Sequence, residues 1–189
     1  MKSYLLPLLV LVSFQWVIAQ ENYTLKSSKF TIAGSSNVHD WESDVTKVKA
    51  TGTFTVDAGQ IKAISGVKVE IPVTGIKSAK GSIMDKKTYE ALKSDQNPSI
   101  TFTLTKINSI SPQGLVKASG NLKLAGTSKP IDLEVTVQTS GNGELTISGS
   151  KPLKMTTFGI EPPTAMFGAM KTADDITIKF NVTMAKAGL

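Results

Sequence analysis

His39 is the only imidazole in the chain, and there is no cysteine. Any nucleophile–base pair must therefore be built around that one side chain. A hydrolase or isomerase acting on a hydrophobic substrate would use His39 as its acid or base. The adjacent Asp40 is badly placed to orient it in an extended segment, where neighbouring side chains point to opposite faces. A triad would need a distant serine and a distant carboxylate, which no motif marks. Zinc would have to take carboxylates as its other ligands, without the usual His/Cys spacing, so no metal is assigned. The phosphate loop, the dinucleotide fingerprint and the HExxH pattern are absent, so no cofactor is expected. The carboxylates are scattered, and no glycosidase pair stands out. These residues point away from catalysis and toward binding.

The most distinctive local cluster is Ser35-Ser-Asn-Val-His39-Asp-Trp41. It reads either as a turn at a strand end, with Trp41 packed and His39 hydrogen-bonded, or as the rim of a cavity. In the second reading His39 or Trp41 meets the polar head of a ligand, a place that suits an indole with one wet end.

Charge narrows the partners. The formal net charge is +6, and it comes from lysine alone, because the sequence has no arginine. Arginine reads phosphates and guanine edges bidentately, so its absence and the even scatter of lysine argue against nucleic acid. A solvated surface is the plain reading, with transient contact to anionic lipid headgroups the lesser one.

These side chains sit on elements that the hydropathy pattern outlines. Lys2 followed by the apolar run Tyr4 to Ile18, ending in Val17-Ile18-Ala19, reads as a secretory signal cleaved after Ala19. That run is short for a membrane span of ~20 residues. Residues 20–189 then form one domain, stabilised without disulfides. Short runs of strict apolar/polar alternation follow, each placing one set of side chains on one face of a strand. Ile176, Ile178, Phe180, Val182 and Met184 give the clearest case. Similar runs cover Val48–Val56, Val67–Val73, Ile100–Leu104, Val116–Leu124, Ile131–Val137 and Leu145–Leu153. With the segment around Phe30 and Ile32 they make eight strands. Turn chemistry falls between them at Asp57-Ala-Gly59, Pro112-Gln-Gly114, Ala125-Gly126 and Gly141-Asn-Gly143. Evenly spaced strands with short turns predict an all-β antiparallel sandwich or barrel.

Two stretches depart from alternation. Ser82–Ser94 reads as one short helix, with Ser82 as N-cap and Ile83, Met84, Ala91 and Leu92 on its buried side. Thr156–Thr172 is a long apolar connection with Phe158, Ile160, Met166, Phe167 and Met170. It either plugs the end of the barrel or lines a pocket for a flexible chain, for which methionine is well suited.

In order along the chain, the residues resemble the YceI-like, polyisoprenoid-binding family. The resemblance is carried by Ser36-Asn-Val-His39-Asp-Trp41, by Gly52-Thr-Phe54, and by Ile83-Met-Asp-Lys-Lys-Thr-Tyr89-Glu-Ala-Leu92. It continues through Asn97-Pro-Ser-Ile-Thr-Phe102, Gly120-Asn-Leu122, Lys129-Pro130 and Phe158-Gly159-Ile160. The resemblance implies an eight-stranded antiparallel lipocalin-like barrel with a helix beside it. It also implies a periplasmic or secreted protein, often a homodimer, holding an isoprenoid quinone-type molecule, fatty acid or fatty amide. The family has no fixed catalytic motif to carry over.

Alternation supplies the expected lining instead: Phe54, Val69, Ile71, Phe102, Leu104, Leu133, Val135, Phe180 and Val182. Met84, Tyr89 and Leu92 from the helix, with Phe158, Met166 and Phe167, are expected to gate it. Small inward residues at Ala50, Gly52, Ala118 and Gly149 are expected to leave room. The expected function is non-catalytic binding of a long-chain amphiphile. A barrel packed solid by its own side chains, serving as a structural or interaction module, is the other alternative to set beside the His39 enzyme.

Overall fold

The computed structural model describes residues 20–188, and the expected signal segment lies outside them. The strands are β1 (Gln20–Ser36), β2 (Trp41–Val45), β3 (Lys49–Asp57), β4 (Gln60–Pro72) and β5 (Ile76–Ser78). After the helix α1 (Ser82–Ala91) come β6 (Ser99–Ile110), β7 (Leu115–Leu124), β8 (Thr127–Thr139), β9 (Leu145–Lys154), β10 (Thr164–Ala165) and β11 (Met170–Lys186). Eight of the strands form an antiparallel ring in the order β11-β9-β8-β7-β6-β4-β3-β1, and pairing of β1 with β11 closes it. Closure removes the exposed edges that an open sheet would present.

Two-residue hairpins link successive strands where the sequence provides them. Ala58 and Gly59 between β3 and β4 both have positive φ, as do Ala125 and Gly126 between β7 and β8. That backbone matches the twist of the flanking strands, and glycine takes it without a Cβ clash.

The first strand is long enough to serve two neighbours on one edge. Gln20–Thr24 pair with β3, whereas Phe30–Gly34 pair with β2. β2 in turn pairs with β5, so the wall divides at the upper end of the barrel. Helix α1 stands beside β5 at this division. Asp85 is buried there and accepts a hydrogen bond from the Ser78 N–H at 2.7 Å, with Lys77 Nζ 3.2 Å from its other oxygen. The Asp85 carboxyl is held below the usual carboxylate range, first by that backbone donor and then by Lys77.

Several expectations change here. The helix is capped by Gly81, with φ 89°, and Ser82 makes no capping hydrogen bond. Ile83 is exposed, because the buried face passes through Asp85 and Leu92. β4 ends at Pro72, and Val73 lies in a 3-10 turn whose N–H reaches Pro98 O. The long apolar connection is also ordered into short elements. Met155–Phe158 and Met166–Gly168 are 3-10 turns, and β10 pairs with the start of β11.

Inward side chains form two packed clusters. The lower one includes Tyr23, Phe54, Val116, Val137, Leu145 and Met184. The upper one includes Phe30, Val45, Leu92, Leu124, Met155, Phe158, Ile160 and Ile176.

Candidate ligand cavity

Between the two clusters the interior is not filled. A cavity of about 510 Å³ runs along the barrel, within the range of ~300–1,000 Å³ common for small-molecule pockets. The alternative of a solid barrel therefore does not hold. At the lower end, Tyr23 meets Phe54 edge-on with centroids 5.3 Å apart, and the tyrosine hydroxyl donates to Gly143 O. At the upper end the lining becomes polar, with Ser36, His39, Ser43, Ser78, Lys80, Lys87, Thr88, Lys151 and Thr172.

The strand residues expected from alternation do face this space. Phe54, Val69, Ile71, Phe102, Leu104, Leu133, Val135, Phe180 and Val182 all line it, as do Met84 and Leu92. Many of these are only half-buried, since the cavity itself leaves part of their surface uncovered. Four expected gate residues lie elsewhere. Tyr89 is outside, its hydroxyl bonded to the Thr74 and Ile76 carbonyls at 3.0 Å. Phe158 is 1% exposed and packs as core instead of facing the ligand space. Met166 and Phe167 point into solvent at 72% and 112% exposure, because both sit at the tip of the β10–β11 connection with left-handed backbone. From the longer Thr156–Thr172 stretch Ile160, Pro163 and Met170 reach the cavity.

The small residues also divide. Ala50 and Ala118 border open space. Gly52 and Gly149 do not, because aromatic rings occupy the room they leave. A Cβ on Gly149 would come 2.7 Å from Phe180 Cζ, and one on Gly52 would come 2.9 Å from Phe54 Cε2. The same holds at Gly120, under Phe102, and at Gly34, under Trp41. Glycine here sets where the rings lie and so shapes the cavity.

The early cluster is a turn at a strand end, and it also lies at the rim of the cavity. The Ser36 N–H and hydroxyl close a turn onto His39 O, and Trp41 Nε1 donates to Ser35 O at 3.2 Å. His39 and Trp41 also border the mouth. The His39 ring lies 3.0 Å from Asp40 O, and among the described residues no carboxylate or hydroxyl side chain is bonded to it. Among the described residues no three His, Asp or Glu side chains converge as a metal site.

Residues not expected from sequence complete the mouth. Asn37 pins the early turn to the β10–β11 connection, donating to Ala169 O and accepting from the Lys171 N–H. Lys87 ties α1 to the same connection through Thr164 O at 3.0 Å. Lys151 is more unusual. On β9 the inward positions run Leu145, Ile147, Gly149, Lys151, Leu153, so a lysine occupies the apolar face. Alternation alone marks it.

A sequence model of the YceI-like domain matches residues 16–184, nearly all of the chain. The chain belongs to the YceI-like family. Solved structures agree at the level of fold. The YceI-like barrel is similar to Burkholderia cenocepacia BcnA, with 20% identity and a TM-score of 0.67 over 82% of this chain and 95% of that one. It is equally similar, at 0.67 and 14% identity, to a polyisoprenoid binding domain from Saccharophagus degradans, over 87% and 98% of the two chains. The Campylobacter jejuni YCEI protein aligns over the whole of both chains at 18% identity and a TM-score of 0.56. Among curated proteins no relative matches.

Proposed function

We propose that this YceI-like barrel is a non-catalytic carrier or sequestering protein that binds a long-chain amphiphile outside the cytoplasm. The observation that carries the proposal is an apolar cavity with a packed floor and a polar mouth at one end only. Such a shape orients a ligand with its chain inward and its head near His39 and Trp41. Burying about 16 methylenes contributes roughly 13 kcal/mol gross at ~0.8 kcal/mol each. Association and ordering cost about 4–15 kcal/mol, so useful affinity needs few polar contacts. The name of the Saccharophagus domain makes a polyisoprenoid one ligand class to test, with fatty acids and amides the others. An enzyme built on His39 lacks support from its surroundings, where only a backbone carbonyl meets the ring.

Trp41 offers the readout, because it lines the cavity and is the only tryptophan after the expected signal segment. The chain purified from its exporting host should show adduct mass by native mass spectrometry, released by organic extraction. After delipidation, farnesol or palmitate should change Trp41 emission saturably. Bare polypeptide mass together with no response to either compound would sink the carrier reading.

A further inference from the structure

Given that amphiphile-binding reading, we infer that the ligand's head is anionic, a carboxylate or phosphate, and that Lys151 holds it inside the barrel. The barrel register sets the level. Lys151 pairs with Ile178, Ile178 with Ile32, Ile32 with Ser43, and Ser43 with Ser78. All five residues line the cavity, so an ammonium and two hydroxyl-bearing residues share one tier of its wall. The next tier up, Leu153–Ile176–Gly34, carries the indole of Trp41 over Gly34 and separates Lys151 from the open rim.

The charge at this tier has no internal partner. Lys151 makes no ion pair among the described residues. Among the described residues no aspartate or glutamate lines the cavity, whereas Lys80 and Lys87 add positive charge nearer the mouth. A cation facing an apolar interior without a counter-ion is costly, and an anionic head supplies that counter-ion when it binds. Charge-assisted hydrogen bonds to a carboxylate or phosphate are about twice as strong as neutral ones. A neutral head leaves the ammonium unpaired. The chemistry thus favours fatty acids or polyprenyl phosphates over alcohols, amides and quinones of the same length.

The test compares matched pairs on the delipidated chain through Trp41 emission: palmitate against 1-hexadecanol, and farnesyl phosphate against farnesol. The wild type should prefer the anion by about tenfold or more in at least one pair. The pair with the larger ratio identifies carboxylate or phosphate as the source. Lys151→Met should abolish the preference while still binding the neutral alcohol, which also shows that the variant is folded. Lys80→Ser, at the rim, should keep it. Because Lys151 faces inward, the preference should persist in 0.5 M salt, where exposed charges are screened. Equal binding of acid and alcohol by the wild type overturns the inference and leaves the carrier reading intact, as does a preference that survives Lys151→Met. If no amphiphile binds, the carrier reading itself fails. Should Lys151→Met not fold, the wild-type ratios and their salt dependence decide alone.

Discussion

Single residues decide how much of this barrel is empty. Gly120 faces inward beneath Phe102, and a Cβ built there would lie 2.3 Å from Phe102 Cζ and 2.7 Å from Thr103 O. The carbonyl belongs to a paired strand and cannot yield, so the ring must swing into the cavity. Gly120→Ala should therefore destabilise the fold by about 1–3 kcal/mol, the usual cost of overpacking, as read by chemical denaturation. It should also shift ligand preference toward shorter chains. Gly141→Ala, with nothing within 4 Å, is the control and should stay within about 0.5 kcal/mol of wild type. Equal stability of the two variants would show that Phe102 is not held by the glycine. From sequence, the inward positions of Gly52 and Gly149 were legible through alternation, but the direction of a neighbouring aromatic ring was not. A glycine on an apolar face suggests vacant space, and here the space belongs to a ring from the same strand or the next one.

The elements that open or close the upper wall depend on polar contacts that period-two reasoning does not reach. Alternation located all eight ring strands, because each has one face toward the interior and one toward water. It missed β2, where Glu42-Ser-Asp44 leaves apolar side chains only at the two ends, and β5 and β10, which are too short to show a period, and it read the start of α1 from Ser82 when the cap is Gly81. The contact that docks α1 is Asp85, a charged residue on the buried side that an apolar pattern does not mark. Its carboxyl titrates below the usual range, mainly through the Ser78 N–H and then through Lys77. A depressed folded-state pKa stabilises the fold above the ordinary carboxylate value of about 4, and that contribution is lost as pH falls through the depressed one. Asp85→Asn keeps an acceptor for Ser78 and removes the charge. The melting temperature of the variant should lie below wild type at pH 6, and the gap should shrink toward pH 2. A gap that stays constant across this range would mean the ionised carboxylate does not hold the helix.

At the scale of the whole molecule the two ends of the barrel differ, and the difference bears on how a ligand insoluble in water would enter. The floor is packed, while the mouth is bordered by α1 and by the β10–β11 connection, tied together through Lys87 and Thr164 O. On this side Ile83, Met166 and Phe167 project into solvent at 73%, 72% and 112% exposure. Met166 and Phe167 hold consecutive left-handed conformations, with φ of 52° and 55°, which costs of order 1–3 kcal/mol per residue unless the surroundings enforce it. Asn37 supplies part of that enforcement by pinning the β11 side of the connection through Ala169 O and the Lys171 N–H. Exposed apolar tips with Lys80, Lys86, Lys87 and Lys171 close by in sequence suit shallow insertion into an anionic bilayer, with the mouth facing the lipid. The chain should therefore co-sediment with vesicles containing phosphatidylglycerol, and more weakly as salt rises. Phe167→Ser should weaken that partition by about tenfold or more, the worth of burying one phenylalanine. It should leave stability and affinity for soluble ligand unchanged, because Phe167 touches neither core nor cavity. Vesicle binding that is indifferent to Phe167 would remove the tip from the entry route and leave the lysines as the sole attraction.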